Sequence, residues 1–110
     1  MRLWEYEETF DVEGCPANEL HRLGEEVMGH LLELEGGRDD LTDAAVSTDA
    51  GEMTITVELA MVVQEDTRQE QAEVAIRSAV RTAFHAAGGA TPGWHYTKRE
   101  EGSRLELASA

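Results

Sequence analysis

Apolar and polar residues alternate through RLWEYEETFDV at 2–12. Trp4, Tyr6, Phe10 and Val12 share one parity, and Glu5, Glu7, Thr9 and Asp11 share the other. A period of two marks a half-buried strand. Glu8 falls on the apolar parity. A bulge, a strand end or a buried acid would each explain it, and we read it as a bulge. The period then changes. Leu20, Leu23, Val27, Leu31 and Leu34 follow helical spacing, which predicts a helix over about 18–35. Asn18 is placed to cap its start and Gly36 to supply a left-handed stop. LTDAAVSTDAGEMTITVELAMVV reads as a hairpin turning at Asp49-Ala50-Gly51. In its second strand Met53, Ile55, Val57, Leu59, Met61 and Val63 face one way. Thr54, Thr56, Glu58, Ala60 and Val62 face the other.

A second helix runs through EDTRQEQAEVAIRSAVRTAFHAAGG, opened by a capping-box pattern of Thr67 and Glu70. Its apolar stripe is Ala72, Ala75, Ile76, Ala79, Val80, Ala83, Phe84 and Ala87. Arg77, Arg81 and His85 recur every four residues off that stripe, as a solvated cationic row toward the helix C-terminus. After it, Pro92-Gly93 suits the centre of a type II turn from Thr91 to Trp94. A strand follows at about 94–99. Residues 103–108 are either a short extra strand beyond a turn at Glu101-Gly102, or the fourth strand itself. Loop length favours the first choice.

The order strand, helix, strand, strand, helix, strand over 1–110 predicts one α+β domain. Two helices would cover one face of an antiparallel sheet. This order resembles the ferredoxin-like plait. The run AFHAAGGATPGW is also similar to small uncharacterised proteins of high-G+C bacteria. One Lys against eight Arg, with two Ile and one Asn, fits such a source. The plait hosts many activities, so the resemblance implies a fold and no function.

Composition narrows the classes. Twenty-three acids oppose nine bases, a formal net charge of −14, which repels nucleic acid and anionic lipid. Glu5, Glu7, Thr9, Thr54, Thr56 and Glu58 on the open sheet parity lack the aromatics on which a plait stacks RNA bases. The apolar run LAMVV is too short to span a bilayer, and the acidic N-terminus does not read as a secretory signal. One cysteine, Cys15, excludes an internal disulfide and any paired-thiol metal site. These features point to the cytoplasm, with no nucleic-acid or membrane partner.

Two constellations remain as candidate sites. Trp94, His95 and Tyr96 are candidate ligand-binding residues, although Trp94 and Tyr96 also suit the core edge while His95 faces the open side. Glu5, Glu7 and Glu58 would gather on the open sheet face, with His95 alongside, as an acid–base or cation site. His21 with Glu25, and Glu26 with His30, read as separate solvated pairs rather than metal ligands. No phosphate loop, dinucleotide fingerprint or nucleophile elbow occurs. The expectation is therefore no catalytic residue, no metal and no cofactor. The chain would act as a non-catalytic interaction module, homo-oligomeric or bound to a protein partner. The alternatives are a small-molecule binder or minor enzyme with a pocket at Trp94-His95-Tyr96, and an acidic partner of a basic protein.

Overall fold

The alternation at the N-terminus folds as β1 (Arg2–Glu13), in which every second residue from Trp4 to Val12 is buried. In this computed structural model residues 2–88, 93–99 and 103–107 are described. A short 3-10 turn at Ala17–Glu19 leads into α1 (Leu20–Gly37). Then come β2 (Leu41–Asp49), β3 (Thr54–Val63), α2 (Gln69–Ala87), β4 (His95–Lys98) and β5 (Arg104–Leu107). All strand pairs are antiparallel and the sheet order is β2-β3-β1-β4, with β5 also paired to β1. Both helices pack on one face. The chain has the α+β topology of the ferredoxin-like plait.

The core lies where the predicted stripes meet. Leu20, Leu23, Val27 and Leu31 of α1 and Ala72, Ile76, Val80, Ala83 and Phe84 of α2 are buried against Phe10, Ile55, Val57 and Leu59. Burying each large apolar side chain stabilises the fold by roughly 1.5–3 kcal/mol. The alanines of α2 leave no side-chain spacer, so the helix sits close to its neighbours.

Helix ends differ from the sequence reading. Asn18 lies in the 3-10 turn, and Glu19 stands at the N-cap without a side-chain bond. Gly36 is helical, and Arg38 ends α1 in an extended conformation. At the start of α2, Gln71 Oε1 accepts the Arg68 N–H at 3.0 Å, so the reciprocal bond falls one residue later than Thr67 and Glu70 placed it. At the β2–β3 turn, Asp49 Oδ1 accepts the N–H groups of Gly51 and Glu52. Gly93 has φ +88, and Thr91 and Pro92 of the expected type II turn lie outside the described residues. Gly14, at φ +81, passes so close to Gly93 that a Cβ would stand 2.5 Å from the Gly93 carbonyl oxygen. That approach fixes the end of β1 against the start of β4.

Two findings concern the sheet itself. The β1–β3 ladder is unbroken from Arg2↔Val63 to Asp11↔Thr54, so no bulge lies at Glu8. The irregularity is in β2, between Thr42 and Ala45, where Asp43 has φ +58. The second finding concerns the C-terminal strands. β4 pairs Phe10 with Lys98, and β5 pairs Glu7 with Arg104. Three steps along β1 therefore correspond to six along the C-terminal segment, an insertion of three residues. Arg99 still donates its N–H to the Thr9 carbonyl at 2.9 Å. The register along β1 thus changes between Thr9 and Glu7. Residues 94–99 and 103–107 form one interrupted edge along β1, running in the same direction, and the choice between a fourth and an extra strand dissolves.

A buried carboxylate as the candidate functional site

Strict alternation carries Tyr6, Glu8 and Phe10 to the helix side of β1, and Glu8 is only 1% exposed. Glu8 is a buried acid. A carboxylate in an apolar interior costs several kcal/mol unless it is paired and hydrogen-bonded. Tyr6 Oη donates to Glu8 Oε1 at 2.5 Å. Arg77 Nε stands 3.6 Å from Oε1, and Lys98 Nζ stands 3.9 Å from Oε2. Arg77 is itself held by Glu73 at 2.6 Å and by Ser103 Oγ at 3.2 Å. Burial, then the bond to Glu8, then the Glu8 charge push the Tyr6 hydroxyl far above its usual range, so it stays a donor.

The satisfaction is incomplete. Glu8 Oε2 and Arg77 Nε are buried and lack a hydrogen-bond partner among the described residues. Both residues line a cavity of about 170 Å³ between β1, α2 and β4. Phe10, Val80 and Tyr96 supply apolar wall, and Arg81 and Lys98 supply further positive charge. Buried polar groups are nearly always bonded, so an acceptor and a donor left open in one cavity mark a place built for something polar. Local charge there is positive, against the sign of the whole chain.

The sequence-predicted residues are only partly brought together. Tyr96 lies opposite Val12 and packs on Phe84 and Phe10, with ring centroids 4.6 and 5.6 Å apart. Trp94 extends this cluster, 5.7 Å from Phe84 and 5.4 Å from Tyr96. His95 is exposed and pairs with Glu13. It also borders a shallow depression with Phe84, His85, Trp94 and Tyr96. Tyr96 alone of the three reaches the Glu8 cavity. Burial raises its hydroxyl pKa, against which the Arg81 charge acts.

On the open face Glu7 lies directly opposite Glu58, whereas Glu5 lies opposite Ala60 and Glu106. His95 is not alongside. Its partner Glu13 is six residues further along β1 than Glu7, about 20 Å away at ~3.4 Å per residue. Arg104 approaches Glu7 at 3.9 Å. The hydrogen bond shared with Glu7, then burial, then the Glu7 charge raise the Glu58 pKa. A raised carboxyl stabilises the fold below its unfolded pKa, and that contribution is lost as pH rises through the folded value. Glu58→Gln should therefore raise Tm at neutral pH, and the gain should shrink on acidification to about pH 4. Thermal melts at the two pH values check this.

Elsewhere, His21 pairs with Glu25 at 3.0 Å on the surface, while His30 meets Glu33 rather than Glu26, which instead meets Arg22. Cys15 is buried, and burial followed by the Glu19 charge raises its thiol pKa, which disfavours the thiolate needed for nucleophilic attack. Among the described residues no cluster of His, Cys, Asp or Glu could hold a metal ion, and no helix is long and apolar enough to cross a membrane. Comparisons with protein families, with curated proteins and with solved structures find no match to this chain.

Proposed function

We propose that this chain is a small-molecule-binding domain, with the Glu8 cavity as its site and a cytoplasmic, bacterial setting. It holds a ligand rather than transforming one. One observation carries the proposal: a carboxylate oxygen, Glu8 Oε2, is buried without a hydrogen-bond partner among the described residues, on a residue that lines a cavity. Keeping an acid there costs stability, and a ligand that donates to it offsets that cost. The site shares Tyr96 with the aromatic corner expected from sequence, but its centre is on β1.

A second reading rests on a different place. α1 and the edge strand β2 enclose an apolar groove lined by Gly24, Met28, Leu32 and Val46, with Leu32 half exposed. Among the described residues no strand lies beside the outer edge of β2, and a second copy paired there in two-fold fashion would satisfy that edge and cover the groove.

Native mass spectrometry of the chain purified gently from its own host distinguishes the two. A monomer carrying a reproducible small adduct supports the ligand site. A clean dimer supports self-association through β2. A bare monomer counts against both.

A further inference from the structure

We infer that the ligand of the Glu8 cavity is a compact hydroxylated carboxylate, seated with its hydroxyl against Glu8 and its carboxylate toward Arg81 and Lys98. This rests on the small-molecule reading above and names the class of molecule.

The inner end sets the first requirement. Glu8 Oε2 is an acceptor left open, so the group that meets it must donate. A cationic donor would sit beside Arg77 and Lys98, which already flank the carboxylate at 3.6 and 3.9 Å. Like charges that close repel. A neutral hydroxyl donates without adding charge.

The walls set the second requirement. Phe10, Val80 and Tyr96 present apolar surface. The volume, about 170 Å³, is close to the ~150 Å³ of a cavity that accepts one benzene. Drug-sized and nucleotide-sized ligands occupy cavities of roughly 300–1,000 Å³ and do not fit. The body is therefore one six-membered ring or its aliphatic equivalent.

The mouth sets the third. Arg81 is exposed and has no carboxylate partner among the described residues. Among the described residues Lys98 has only its long contact to Glu8. In a chain of net charge −14, Arg81 without a carboxylate partner among the described residues and Lys98 held only loosely by Glu8 at 3.9 Å make one opening complementary to an anion. A planar guanidinium suits a carboxylate best, since it can donate two parallel bonds.

Isothermal titration of the full chain with four probes tests this. They are 4-hydroxybenzoate, benzoate (no donor), 4-hydroxybenzamide (no charge) and 4-hydroxybenzylamine (opposite charge). 4-Hydroxybenzoate should bind about tenfold or more tighter than each of the others, because each lacks one charge-assisted contact. Arg81→Gln, at an exposed position that leaves the core intact, should reduce the advantage over the benzamide severalfold, with Lys98 still facing the carboxylate, and keep the advantage over benzoate. If the benzamide or the benzylamine binds as tightly as 4-hydroxybenzoate, the class is wrong while a small-molecule site stands. If none of the four gives heat, and a panel of neutral fragments of the same size gives none either, the site itself is refuted along with the class.

Discussion

Arg77→Met should lower the unfolding free energy by about 2–3 kcal/mol near neutral pH, measured by urea denaturation. Breaking a buried pair by removing one partner typically costs ~3–5 kcal/mol, and the one-third exposure of Arg77 reduces that. The stem of methionine keeps most of the packing. What is lost is the cation over Glu8, together with the tie to Ser103 that holds the C-terminal strand near α2. The double variant Glu8→Leu with Arg77→Met should recover most of the loss, because a buried pair replaced by apolar residues is often neutral or stabilising. A single-variant loss below about 0.5 kcal/mol, the range of ordinary surface substitutions, would mean that Arg77 does not hold the Glu8 charge.

Phe84→Ala should be more damaging, at about 4 kcal/mol. Phe84 is fully buried in α2, and its ring meets those of Phe10, Trp94 and Tyr96 at 4.7, 5.7 and 4.6 Å. Truncation removes the surface on which the β4 aromatics pack, and Tyr96 is also a wall of the Glu8 cavity. The near-ultraviolet circular dichroism of the aromatic cluster should weaken along with stability. Val74→Ala, at a position 70% exposed on the same helix, should stay within ~0.5 kcal/mol of the parent. Equal losses from the two changes would contradict the placement of the core.

The elements were legible because each carries its own period. Trp4 to Val12 alternate and Leu20 to Leu31 step by three and four, and both patterns need only local sequence. Glu8 was legible as an anomaly and was misread. A break in parity signals a bulge or a buried charge equally well, and only the β1–β3 register, set by residues some fifty positions away, distinguishes them. Arg77 was placed among solvated cations because helical spacing locates a Cβ and not the end of a long side chain. Its guanidinium reaches Glu8 of β1 at 3.6 Å and Ser103 at 3.2 Å. The three-residue insertion was invisible for a similar reason. Residues 94–99 and 103–108 both read as strands, but their common alignment along β1 depends on where β1 stands. The candidate site is built from these three non-local facts, whereas the Trp94-His95-Tyr96 corner drew attention through composition alone.

The most direct test of the central claim is a map of backbone amide shifts while the full chain is titrated with small ring compounds such as 4-hydroxybenzoate. The Glu8 cavity predicts one contiguous set of perturbed amides, on β1 around Tyr6 to Phe10, on α2 around Arg77 to Arg81 and on β4 around Tyr96 to Lys98. Perturbations centred instead on the α1–β2 groove, or no saturable change at all, would contradict it.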